Sequence, residues 1–227
     1  MDLIRDPGDG ADLDVMTTMY PSRLECVRGR RAALDPTSTF YGYVVWGRAR
    51  IRSSGLEITA DAGGFFSLPG PVELSVEGAA VLIERRGFRG LPVAGRIEEV
   101  GRLACTDGCS DTVLVSPPRC GDPVLSHLHC PPGVRQTLHT QPTICLGVVA
   151  RGEGVAFGPE DRWVEPLTEG TVFLLHPHEA HAFRTGENRR PLDVIAFHPD
   201  SDWGPTDAAH PMLNRTYLGR DAAGRPR

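Results

Sequence analysis

The sequence contains no lysine: all 24 basic positions are arginine. Lysine Schiff-base chemistry and the phosphate-loop lysine of nucleotide-binding sites are therefore excluded. Long apolar runs are missing too, none approaching the roughly 18 residues that a membrane helix needs. The first twenty residues, MDLIRDPGDGADLDVMTTMY, carry acids where a secretory signal starts basic, so we expect a cytoplasmic protein without membrane attachment. Positive charge is not in excess: 24 basic against 29 acidic residues leave a net charge of −5, with no basic tract, and nucleic acid is not an expected partner. There is no Gly-rich phosphate loop and no Gly-x-Ser-x-Gly elbow. Histidine is absent from the first half, all eight falling between His127 and His210, so any histidine chemistry belongs to the second. In a cytoplasmic setting the six cysteines read as thiols, and Cys105 and Cys109 are too isolated for a zinc knuckle.

What is present is a chain of 227 residues, enough for one large or two small domains. Its 26 glycines and 20 prolines punctuate short β-branched runs, the pattern of an all-β protein. The first half predicts strands at 40–51, 56–60, 64–68, 72–76 and 79–85. The second predicts them at 111–115, 125–129, 136–140, 144–150, 154–157, 172–175, 181–184 and 192–197. Helical character is confined to 17–23 and a short turn at 97–100. Such spacing favours a sandwich or barrel. The halves also resemble each other: YVVWGRARI followed by GGFFSLPGP parallels GVVARGEGVAF followed by EGTVFLLHPHEAHAF. We read an internal duplication, with residues 1–100 as an N-terminal barrel without histidine and 101–227 as a histidine-bearing C-terminal one.

The histidines form four groups. His127 and His129 are two apart on a predicted strand and share a face. His139 lies in TLHTQPT, where alternation puts Gln141 beside it. His176, His178 and His181 occupy LLHPHEAHAF, and His198 ends VIAFH. In a small closed barrel, residues on one face of neighbouring strands meet in the interior, where imidazoles supply the nitrogen ligands that Zn, Fe, Ni or Cu prefer.

At PPGVRQTLHTQPTICLGVVARGEG the sequence resembles the cupin superfamily: Pro132 and Gly133 match the approach of its first motif, His139 its first histidine and Gly152 its turn. Gly170, Pro177 and His181 match the second motif. The resemblance implies double-stranded β-helix barrels in two tandem copies, the first degenerate. It also departs from the pattern, because Gln141 replaces the second motif histidine and Cys145 falls at the motif glutamate. Either remains a possible metal or substrate contact. The expected metal set is His127 or His129, with His139, His181 and His178, holding Fe2+ or Zn2+.

Glu179, the carboxylate within the second motif, is the candidate general base, and Arg135, preceding the motif strand with Gln136, the candidate anchor for a substrate carboxylate. The tail carrying Asp200, Asp202, Trp203, Asp207 and His210 is read as a lid over the barrel mouth. Asn214-Arg215-Thr216 is a glycosylation sequon only in a secreted protein. By resemblance, we expect a metal-dependent enzyme acting on a small polar metabolite, foremost an iron-dependent dioxygenase, as a monomer or homodimer. A zinc-dependent rearrangement that forms an N–N bond with a synthetase-like partner is one alternative. A small-molecule-binding cupin without turnover is the other.

Overall fold

The computed structural model describes residues 1–33, 35–119, 121–187 and 189–200. Its strands are β1 (Asp2–Ile4), β2 (Asp12–Asp14), β3 (Ser22–Val27), β4 (Arg30–Ala33), β5 (Thr39–Ser53), β6 (Leu56–Asp61), β7 (Gly64–Pro69), β8 (Val72–Arg85) and β9 (Val93–Arg96). There follow β10 (Leu103–Ala104), β11 (Ser110–Val115), β12 (Val124–Cys130), β13 (Cys145–Phe157), β14 (Val164–Thr168), β15 (Val172–Leu175), β16 (Ala182–Arg184) and β17 (Leu192–His198). They form two antiparallel sheets, one in the order β2-β3-β8-β5-β7-β9 and one in the order β1-β15-β13-β17-β12-β11-β10. Side pairings of β4 with β8, β6 with β5, and β14 and β16 with β13 curl each sheet over itself. No helix of the described residues is long and apolar enough to cross a membrane.

The two sheets repeat one plan. The long strands β5 and β13 each carry a bulge, between Val44 and Trp46 and between Val149 and Arg151, followed by a positive-φ glycine, Gly47 or Gly152. A bulge bends the strand, letting one segment serve both faces of a barrel. Each strand also has a glycine under an aromatic ring: a Cβ on Gly42 would stand 2.2 Å from Phe66 Cζ, and one on Gly147 2.2 Å from Phe173 Cζ. Only a residue without a side chain lets those rings lie flat on the strand.

Three differences from the sequence reading have simple causes. Residues 72–76 and 79–85 are one strand, as are 144–150 and 154–157, because their glycines are paired within the ladder, Gly78 opposite Gly47, Gly152 opposite Leu192 and Gly154 opposite Leu167, rather than set in turns. Around 17–23 the chain is a turn running into β3, whose alternating burial Ser22, Leu24, Cys26 is a strand period. Residues 136–140 form no strand; this stretch meets the sheet through isolated bridges, Arg135 to Arg184 and His139 to His181, and through hydrogen bonds of Gln136 with Phe183. The chain also crosses over at its start, β1 pairing with β15 in the second sheet.

Between the sheets lies the largest shared core. Leu24, Tyr41, Tyr43 and Ile83 from the first pack against Leu125, Leu146, Val148, Ile195 and Phe197 from the second. Tyr41 and Phe197 stack with ring centroids 4.8 Å apart, and neither is exposed. The first barrel's own interior is filled by Phe40, Val44, Ile51, Phe66, Leu68 and Leu74. Because Phe197 is shared by both barrels, Phe197→Ala is expected to cost about 3–5 kcal/mol and to lower both barrels' stability in one chemical-denaturation transition.

Candidate metal and ligand cavity

The second barrel keeps an opening of about 440 Å³. Strands β12 and β17 run antiparallel with Ser126 opposite Ala196 and Leu128 opposite Val194, and these even-numbered residues line the cavity together with His198. The odd-numbered residues turn the other way. Leu125 and Phe197 enter the core between barrels, and His127 and His129 follow them.

This alternation overturns the expected ligand set. His127 Nε2 and His129 Nδ1 each lie 2.8 Å from Asp193 Oδ1, so both rings donate to one carboxylate, while Arg151 Nε donates to Asp193 Oδ2 at 3.0 Å. Burial pushes the Asp193 carboxyl up, but the two imidazole hydrogen bonds and the Arg151 charge outweigh it and hold the group below its ordinary range. His127 and His129 belong to this buried network and do not line the cavity. His178 does not line the cavity either: it is exposed, at φ 61° in the turn after β15, and its backbone N–H donates to Gln141 O at 2.7 Å. Among the described residues no three His, Cys, Asp or Glu side chains converge as a metal-ligating cluster.

The structure does bring His139 and His181 together. Each backbone N–H donates to the other's carbonyl at 3.0 Å, and the ring centroids are 4.5 Å apart. His139 Nδ1 faces Thr137 O at 3.1 Å, and His181 Nδ1 faces Glu179 O at 2.8 Å. A carbonyl only accepts, so both Nδ1 atoms carry the proton and both Nε2 atoms keep a free lone pair. Burial, with the neighbouring His139, keeps His181 below its ordinary pKa despite the bond to Glu179 O. His198 is pushed down to about 4, again first by burial and then by the two other imidazoles. Gln141 lines the same cavity, its Oε1 buried and without a partner. Two anchored imidazoles and an unclaimed amide oxygen fit a divalent cation. Cys145 also lines the cavity, its thiol pushed up to about 12 by complete burial, the behaviour of a packing residue.

The candidate catalytic residues lie elsewhere. Glu179 pairs with the Met1 α-ammonium and accepts the His176 N–H at 3.0 Å, so both oxygens are committed and it does not line the cavity. Arg135 lies outside the barrel, its guanidinium 4.0 Å above the Phe157 ring and facing Asp161. Gln136 is a structural clamp, accepting the Phe183 N–H at 3.0 Å and donating to Cys109 Sγ at 3.4 Å. Cys109 and Cys130 form a buried thiol pair, 3.3 Å apart. Beyond Asp200 the expected lid residues Asp202, Trp203, Asp207 and His210, and the sequon at 214–216, lie outside the described residues.

One cavity residue escaped the sequence reading. Asp111, on β11 opposite Leu128, lines the cavity with its Oδ1 buried and unpartnered. Burial pushes its carboxyl up to about 6. The available signal was an acid at an inward position of an alternating strand, beside the SHLH block.

Residues described by this geometry are those of a double-barrel cupin fold, and the solved structures agree. The chain is similar to a cupin 2 conserved barrel domain protein from Leptotrichia buccalis, at TM-score 0.60 and 15% identity, covering 86% of this chain and 88% of that one. It is similar to oxalate decarboxylase from Bacillus subtilis, described with Mn(II) centres, at TM-score 0.55 and 12% identity, covering 84% and 72%. Salicylate 1,2-dioxygenase from Pseudoaminobacter salicylatoxidans, in adducts with gentisate, aligns at TM-score 0.57 and 11% identity over 82% and 72%. The fold is thus that of a double-barrel cupin. Residues 126–220, which include most of the cavity lining but not Asp111, match the family described as the AraC-like ligand binding domain. No curated protein matches the sequence.

Asp193→Ala leaves two buried imidazoles without their acceptor and is expected to cost about 3 kcal/mol or more in denaturant unfolding, with metal content unchanged. Asp111 has the opposite sign. Its folded carboxyl holds the proton up to about 6 against an ordinary 3.8, so its stabilising effect is full below about pH 4 and is lost as the pH rises to about 6. Asp111→Asn is therefore expected to raise stability near neutral pH by on the order of 1–3 kcal/mol and to make no difference at about pH 4, as read from thermal unfolding across that range.

Proposed function

We propose that the second barrel is a metal-dependent active site for a small polar metabolite, with His139, His181 and Gln141 as the metal-holding residues. The observation that carries this reading is the pair of imidazoles, each fixed through Nδ1–H to a backbone carbonyl so that its Nε2 lone pair is left free. Anchoring of that kind orients ligating histidines and sets their tautomer. A divalent metal held by these residues would supply Lewis-acid polarisation or redox chemistry. The protein's own part is to keep His198 neutral beside the site, able to give or take a hydrogen bond, and to surround the ligand with the dry wall of Phe173, Leu175, Phe183 and Val194. Dioxygenase chemistry with Fe2+ is the reaction class we favour. It is supported by the likeness in fold to salicylate 1,2-dioxygenase, and the Mn(II) centres of oxalate decarboxylase support a divalent metal.

A second reading, a binding barrel without turnover, is favoured by the match to the AraC-like ligand binding domain and by the loss of the motif glutamate to Cys145. Elemental analysis of the purified protein separates the two. Near-stoichiometric iron, lost in both His139→Ala and His181→Ala but kept in Asp193→Ala, is the expected result, accompanied by ligand-dependent oxygen uptake. Zinc directs the chemistry to non-oxidative rearrangement. Protein that takes up no metal after reconstitution with Fe2+, Zn2+ or Mn2+ would leave the binding reading.

A further inference from the structure

The cavity leaves several acceptors unclaimed and has no guanidinium in its wall. Its polar wall offers the two free Nε2 lone pairs, Gln141 Oε1 and Asp111 Oδ1, the last two buried with no partner. Among the residues lining it there is no arginine, and Asp111 is the one carboxylate. His127, the titratable side chain whose charge acts on Asp111, has its Nε2–H committed to Asp193 on the other face of β12. A buried acceptor without a donor costs free energy, and a buried carboxylate without a counter-charge costs more. The metal of the reading above would satisfy the imidazoles and Gln141. Asp111 accepts a backbone hydrogen bond from Thr112, but its Oδ1 has no partner among the described residues.

We propose that the organic ligand of this cavity carries a protonated amine, and that Asp111 is the residue that selects it. An ammonium group brings both the donors and the charge that Asp111 lacks, whereas a carboxylate ligand would meet a like charge with no guanidinium to offset it. The remaining wall, Phe173, Leu175, Phe183 and Val194, accommodates an apolar body behind the amine. This inference rests on the second barrel being the ligand cavity. It does not require the metal, because Asp111 lies outside the three named metal-holding residues.

The test is calorimetric titration of the full-length protein with three probes of matched size, benzylamine, benzyl alcohol and benzoate, before and after treatment with a chelator. Benzylamine is expected to bind at least about tenfold more tightly than benzoate. Asp111→Asn should abolish that preference while leaving metal content intact and raising, not lowering, the unfolding transition near neutral pH. Asp111→Glu, which keeps the charge, should retain a preference for the amine. Benzoate binding as well as benzylamine, an unchanged preference in Asp111→Asn, or no saturable binding of the amine would each overturn the inference. A preference for the amine that persists in protein holding no metal would retain it and remove only the metal assignment.

Discussion

Everything in the second barrel follows from strands buried on both faces. A β-strand sends successive side chains to opposite sides, and β12, β13 and β17 have one side on the cavity and the other on the first barrel. Each strand therefore carries two unrelated sequences, interleaved. Along β17 the even residues Val194, Ala196 and His198 line the cavity, while Ile195 and Phe197 enter the core between the barrels and Asp193 binds His127, His129 and Arg151. A register slip of one residue would exchange a ligand wall for an interface.

The duplicated plan has been put to two uses. In the first barrel the interior is closed by Phe40, Phe66 and Leu68, and the same construction of bulge, glycine and overlying ring recurs in the second around Gly147 and Phe173. There the inward positions carry Ser126, Ala196, Gln141 and imidazoles in place of large apolar groups, and space for a ligand remains. Shape and chemistry are thus separable: bulges and glycines set the barrel, and the inward residues decide whether it is full or open. The barrels are welded by a core as apolar as their interiors, with a polar inclusion, the Asp193 network, in which both carboxylate oxygens accept while His127 Nδ1 is left without a partner.

Much of this was legible in the sequence. The all-β class, the repeat and most second-half strands followed from β-branched runs and glycine spacing, and His139 with His181 followed from the motif layout. The misassignments share a cause. His127 and His129 do share a face, as their spacing requires, but the spacing does not say which of two buried faces it is. Glu179 and Arg135 are close to the motif in sequence, yet the turn after β15 aims Glu179 at the chain start, and the bridge of Arg135 to Arg184 sets it outside. Asp111 carried no motif at all, and its importance lies in an oxygen left without a partner.

The sequence by itself determined what periodicity and composition encode: two β barrels, histidine chemistry restricted to one of them, and the absence of lysine and of any membrane helix. Only the tertiary structure decided which histidines meet. Pairing across β12 and β17, and the approach of the first barrel, turned one His-x-His into a structural network and left His139, His181 and His198 around a cavity. Side-chain direction within a strand is a local property, but which side becomes an interior is fixed by what packs against it.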